Sequence, residues 1–377
     1  KGLDASTAGE VLLRVGVLTG AIGSRNQIAN AQETAKNLIS ESLTLFESTK
    51  YRKKIAEAQT ELALCYWRTG EINEARDLLE DTLSRLTADC ELKAKALLRL
   101  AIVELETSEH HKALGILIDH AELFQKLNNQ NLKGSYYSTL GNVLERLWET
   151  EGRTTYLDRA LVEYAAASYH FEKAEHRYYL ASVENNLGLL YFTINRCNEA
   201  HEHLDRARRV FASLKDVGAI AQVDETRASV FLKQGRATEA ERAARSSVRN
   251  LEKSGQHTIL AEALITHGRA LARLGKYVVS LSAFRRAIDL AQHVGSEHRA
   301  AEAALAAFEE IGGRLVISDG RHFVSGRGLV AEIRSFEHDV ITSDALSIES
   351  GRRTPDAGAR GISCQVRVDR LGDVEHG

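Results

Sequence analysis

A chain of 377 residues that is 44% apolar has room for two or three globular domains or one long repeat array, and enough apolar surface to bury a large core. Its 49 basic side chains against 52 acidic ones leave a net charge of −3, which argues against a dedicated nucleic-acid binder. The four cysteines, Cys65, Cys90, Cys197 and Cys364, form no C-x-x-C pair, so a zinc ribbon and a thioredoxin-like motif are excluded, and a reducing, cytoplasmic setting is expected.

The segment Lys1 to Glu10 lacks a signal peptide's basic and apolar regions. No stretch holds the roughly 18 uninterrupted apolar residues of a membrane helix, so a soluble protein without a membrane association is expected. The absence of methionine points to a fragment or an unusual gene model. The single proline, Pro355, leaves residues 1–350 free of any residue forbidden in a helix interior.

In chain order, residues 1–50 read as a degenerate helix pair, with Gly16 as a small contact residue and Ile28 to Phe46 as a long second helix. The pattern becomes regular from residue 51. Leu62-Ala63, Tyr66, Gly70, Ala75 and Leu79 set a small residue, an aromatic three later, a turn glycine, then alanine and a large apolar residue four apart. The small residue returns as Ala101, Gly141, Gly188, Ala228 and Gly268, and the alanine twelve beyond it as Ala113, Ala200 and Ala240. Ser280 takes that place in the last unit, with Phe284 four beyond it. In the third unit the alanine is Ala160, displaced by what reads as a longer turn around Glu149 to Tyr156 carrying Gly152.

Residues 296–312 read as an alanine-rich capping helix ended by Gly312-Gly313, which closes an array over 51–314. Beyond Arg314 glycine, serine, arginine and aspartate become frequent and helical periodicity fades. Leu329 to Ile333 and Ile362 to Val368 are at most short strands. Residues 315–377 are therefore read as a disordered or weakly structured tail. The alternatives are a truncated or out-of-frame end and a small joined module.

Gly or Ala on one helix lets an antiparallel partner approach, and the partner's own alanine faces that contact. Each pair has an apolar face it cannot bury alone, so neighbours must stack. Leu187, Gly188, Tyr191, Ala200 and Leu204 carry the closest resemblance to the tetratricopeptide repeat, which covers about residues 56–310. The step is nearer forty residues than the family's roughly thirty-four, and the closing proline is missing. Longer helices of this kind are similar to the MalT-type branch of bacterial regulators. The resemblance implies an all-α, right-handed alpha-alpha superhelix, a tetratricopeptide-like solenoid, followed by the tail.

No residues assemble into a catalytic or metal motif, and no cofactor is expected. His201 and His203 stand two apart on a helix, about 200° around its axis, and cannot share one ion; Glu199 with His203 lacks a third ligand. His110-His111 is read as a solvent-facing pair at the turn between two helices. Cys65 reads as a packed thiol and Cys197 as a residue in a turn. Ser325-Gly326-Arg327-Gly328 lacks the lysine and the flanking elements of a phosphate loop.

In tetratricopeptide arrays the first helix of each pair lines a concave, partner-binding face, and this directs attention to polar side chains beside the small residue. Arg99, Thr139, Asn186, Thr226 and Thr266 lie two before it, and Asn142, Ser229 and Arg269 one after. Asn186, next to Asn185, resembles the asparagine with which related repeats hold a peptide backbone. An amide supplies both a donor and an acceptor, and Arg99, Arg227 and Arg269 favour carboxylates.

The expected function is a non-catalytic scaffold that binds a protein or peptide through Arg99, Asn142, Asn185, Asn186, Arg227 and Arg269, with self-association as a further option. Asn186→Ala is expected to weaken binding with little loss of stability. The alternative is the sensor arm of a bacterial signalling or transcription regulator whose effector domain lies outside this chain.

Overall fold

The computed structural model describes residues 3–311, apart from 27, 29, 255–256 and 294–295, and every regular element among them is an α-helix. The tail at 315–377, its two candidate strands, Ser325 to Gly328 and Cys364 lie outside the described residues. The chain divides into two compact units. Among the described residues, one comprises 3–230 with 249–254, and the other 231–248 with 257–311.

The first unit begins with α1 (Ala5–Asn26) and α2 (Ala31–Ser48), followed by α3 (Arg52–Thr69), α4 (Ile72–Arg85), α5 (Glu91–Glu106), α6 (His110–Asp119) and the short α7 (Ala121–Lys126). It continues through α8 (Gln130–Glu151), α9 (Thr154–Lys173), α10 (Arg177–Thr193), α11 (Cys197–Ser213) and most of α12 (Val217–Lys233). From α1 to α11 each helix packs on its chain neighbour, and the first helices α1, α3, α5 and α8 also touch in succession. The second unit holds most of α13 (Ala237–Ser254), α14 (His257–Arg273), α15 (Tyr277–His293) and α16 (Glu297–Ile311); α16 packs on both α14 and α15.

Where the sequence predicts that the small residue faces the partner helix's alanine, the glycines of α1, α8, α10 and α14 instead meet the large side chain four residues beyond that position. A methyl group added at Gly188 would meet Leu204 Cγ at 2.5 Å, and one at Gly268 would meet the Phe284 ring at 2.7 Å. The partner stands sixteen residues on in both cases. Gly16 faces Ile39 and Gly141 faces the Tyr164 ring at greater separations, because the intervening helices are longer. Serine replaces alanine where its hydroxyl finds a carbonyl. Ser280 Oγ donates to Gly268 O, and Ser42 Oγ to Gly9 O, each at 2.7 Å and fully buried.

The third unit departs from the expectation of a long turn. α8 runs through Glu149 to Glu151, and only Gly152 and Arg153 separate it from α9. Gly152 has φ 70°, so it ends the helix where a residue with a Cβ would be strained. The insertion makes α8 and α9 22 and 20 residues long, against 17 each for α10 and α11, and brings a second glycine, Gly134, against Phe171. The second unit of the repeat also differs, because its second helix breaks between α6 and α7. His120 Nδ1 lies 3.0 Å from Ile116 O at that break, where a side chain competes for a helix carbonyl.

One expectation requires correction. α1 is long and apolar enough over Ala5–Gly23, by length and composition, to cross a membrane. A count of uninterrupted apolar residues misses it because Glu10 and Arg14 divide the run. Both are held by ion pairs on the α3 side, with Lys54 and Glu57. The inner face of α1 packs Gly9 on Phe46 and Gly16 on Ile39.

Candidate functional site

Four of the six polar side chains singled out on the first helices, Arg99, Asn142, Asn186 and Arg227, are bonded to residues on neighbouring helices. The −2 position is closed to solvent where it is threonine: Thr139, Thr226 and Thr266 are all buried. Longer side chains at that position remain half-buried, as Arg99 and Asn186 do.

Arg99, on α5, reaches back to α3. Its Nη2 donates to Glu61 Oε2 at 2.7 Å and its Nη1 to the Thr60 carbonyl. Glu61 is only 7% exposed, and burial pushes its carboxyl up while Arg99 and then Lys95 more than reverse the shift, so that it titrates below the ordinary glutamate value. Arg99 therefore joins two repeats, and a ligand carboxylate would have to compete with a buried one. Arg227 is committed in a similar way, with Nη2 at 2.8 Å from Asp205 and Nη1 at 3.4 Å from the buried Asp224. Asp224 also receives Arg208 at 2.6 Å. Arg269, in the second unit, is half-buried and has no ion-pair partner among the described residues.

Asn186 Nδ2 donates to Asn142 Oδ1 at 3.1 Å, linking α10 to α8. The same oxygen accepts the Tyr164 hydroxyl at 2.7 Å, and that hydroxyl lies 2.6 Å from Glu145 Oε2. The Glu145 carboxyl is pushed up by burial, only partly offset by the Tyr164 hydrogen bond, and the nearby Glu149 charge raises it further. This network joins two repeats through amides rather than charges. It also revises the sequence expectation for Asn186→Ala, since removal of a half-buried hydrogen bond costs about 1 kcal/mol. Asn185 differs, because its Oδ1 is buried without a hydrogen-bond partner.

The remaining candidates have local roles. His203 Nδ1 lies 2.9 Å from Glu184, which also takes Arg206, while Glu199 pairs with Arg196. Cys65 is buried and its thiol is pushed up by that burial. Cys197 opens α11, half-buried, rather than lying in a turn. Most of the central aromatics are core or stack on neighbours; Tyr136 stacks on Phe124 at 4.3 Å, and Tyr169 and Tyr179 are exposed. Sequence reasoning missed Arg68, Gln32 and Glu145, none of which lies beside a repeat's small residue.

The family model of the tetratricopeptide repeat matches residues 219–293, the segment from α12 to the end of α15. Residues 219–293 carry tetratricopeptide repeats. No curated protein matches it in sequence. Among solved structures, the tetratricopeptide array is similar to a Rap protein complexed with competence and sporulation factor. The TM-score is 0.61 and identity 15%, with 89% of this chain and 91% of that one covered. It is also similar to a signal transduction ATPase with numerous domains and a tetratricopeptide repeat sensor, from Pyrococcus horikoshii (TM-score 0.64, identity 14%, 88% of this chain covered). The tetratricopeptide array spans half of that ATPase's length. A third likeness is to aspartyl phosphate phosphatase F from Bacillus subtilis (TM-score 0.57, identity 11%, covering 93% and 99%). At these identities the likeness establishes the fold, an all-helical tetratricopeptide-like solenoid.

Proposed function

We propose that the array is a non-catalytic scaffold that binds a protein or peptide along the face formed by the first helices of its first unit. One observation carries this reading. Among the candidate side chains of the first unit, Arg99, Asn142, Asn186 and Arg227 are bonded to neighbouring helices, yet Asn185 Oδ1 is buried without a hydrogen-bond partner. An orphaned buried acceptor costs on the order of 1–3 kcal/mol, which a bound backbone N–H would recover. The surrounding lattice keeps the face rigid, so little side-chain ordering would be lost on binding. The Rap structure, which holds a competence and sporulation factor, supports a peptide as the ligand class.

The test is capture from native cell extract with the full chain, beside Asn185→Ala. The substitution removes no hydrogen bond made among the described residues, so the variant keeps the wild-type melting temperature. Loss of one specific partner from the variant supports the reading. Equal capture by both baits refutes this face as the site.

The half-length match to the ATPase with a repeat sensor favours a second reading, in which the array is the sensing arm of a larger bacterial signalling or transcription regulator. A longer native reading frame with an ATPase or DNA-binding domain supports it. An independently acting product of this length counts against it.

A further inference from the structure

α1 presents two unlike sides. One is closed on α2, where Gly9 meets the Phe46 ring, Gly16 meets Ile39 and Gly23 meets Ala31. Its flank carries Glu10 and Arg14, which pair with Lys54 and Glu57 of α3. The opposite side has no such cover. Val11, Val15, Leu18 and Ile22 stand there, each between 45% and 60% exposed, and Leu3 and Ile28, just beyond the two helix ends, are exposed as well. Single exposed apolar residues are ordinary on a protein surface, whereas a contiguous row of them marks a contact.

The spacing of the row specifies the kind of contact. Successive gaps of four, three and four residues keep the four side chains within a stripe about 60° wide, which is the repeat of a coiled-coil seam. Val15 and Ile22 hold one seam position, and Leu18 with Val11 holds the other. β-branched residues at the first and leucine at the second favour the pairing of two helices. Charge points the same way. From Val11 to Ile22 the only charged residue is Arg14, and Glu10 and Glu57 of its own chain hold it at 2.7 and 2.8 Å. A two-fold contact sets a surface against its own copy, so a net charge there would repel itself, and this stripe carries none. Four half-exposed side chains per copy fall short of the ~800 Å² per partner of a standard interface, which places the pairing among weak, reversible contacts.

We propose that this chain pairs with a second copy of itself through the outer side of α1, with Val11, Val15, Leu18 and Ile22 of one copy packed against the same four of the other. The contact uses none of the residues of the Asn185 face and does not depend on peptide binding.

The experiment is sedimentation velocity of the full chain over a concentration series through the micromolar range, with Leu18→Glu, Val15→Gln and Val278→Glu beside wild type. Wild type is expected to move from monomer to dimer and no further, because an isologous contact closes at two. Leu18→Glu should weaken the dimer at least tenfold, since it buries a charge in both halves of the seam, and Val15→Gln should weaken it less. Diluted to monomer, all three variants keep the wild-type helicity and melting temperature, because the replaced side chains are exposed. Val278→Glu, which replaces a comparably exposed apolar residue on α15, should leave the dimer unchanged. Wild type that stays monomeric across the series, or that grows past the dimer, overturns the proposal. So does a dimer that Leu18→Glu and Val15→Gln leave intact, or that Val278→Glu dissolves equally. Binding of wild type, and not of Leu18→Glu, to phosphatidylcholine vesicles, with no dimer in their absence, assigns the stripe to a lipid surface and overturns the second copy as its occupant.

Discussion

The same substitution, glycine to alanine in a helix, should have opposite effects at two positions of this array. Gly115 lies within α6 with nothing within 4 Å of where its Cβ would be. Gly188 lies within α10, and its Cβ would stand 2.5 Å from Leu204 Cγ and 2.7 Å from Leu204 Cδ2. Leu204 is fully buried, and its Cγ is too near the backbone to swing aside. Both substitutions gain the helix propensity of alanine over glycine, about 1 kcal/mol. Only Gly188→Ala also overpacks a closed contact, at a cost of about 1–3 kcal/mol. Gly115→Ala should therefore stabilise the protein by about 1 kcal/mol, and Gly188→Ala should be neutral or destabilise it by up to about 2 kcal/mol. Urea unfolding followed by circular dichroism reads both midpoints, and Leu204→Ala in the Gly188→Ala background provides the control. That double variant should lose less than the two single losses combined, because one contact is being counted twice. If Gly188→Ala stabilises as much as Gly115→Ala, glycine is not what sets the helix spacing, and the account of the repeat is wrong.

Arg99→Ala leaves the buried Glu61 with only Lys95 at 3.6 Å, and should cost roughly 3 kcal/mol in urea unfolding at pH 7. The pH profile carries a second signature. The Glu61 carboxyl is depressed on folding, so its contribution is present above the unfolded glutamate value and is lost as the pH falls below it; Arg99→Ala should flatten that acid limb. Glu145 has the opposite sign. Its carboxyl is raised on folding, so stability is fully present below the unfolded value and declines as the pH rises through the folded one. Glu145→Gln, which keeps an acceptor for the Tyr164 hydroxyl, should therefore raise the melting temperature at pH 7 and change little at pH 4. A lower melting temperature at pH 7 would show that the charge itself is required.

Local chemistry along the chain was enough to define the repeat. Gly188 and Leu204, or Gly268 and Phe284, stand a fixed distance apart because helix pairs of constant length must bring them together, and that periodicity is readable in one dimension. Ser280 could be placed in the alanine position, although its hydrogen bond to Gly268 O depends on a carbonyl that only the packed pair exposes. The insertion near Gly152 was legible as added residues, but whether they lengthen a turn or two helices depends on Gly134 and Gly141 finding the rings of Phe171 and Tyr164.

The candidate site was legible only in outline. Asn142, Asn185, Asn186, Arg99, Arg227 and Arg269 could be placed on first helices, but their availability depends on partners about forty residues away, such as Glu61 for Arg99 and Asn142 for Asn186. Sequence patterns report which face a residue occupies, because helical geometry is local. Whether a polar atom on that face is bonded or free is decided by the neighbouring repeat, and so by the tertiary structure alone. Arg68 and Gln32 show this most clearly: they lie 36 positions apart on different helices, and both end beside Gly20 on a third.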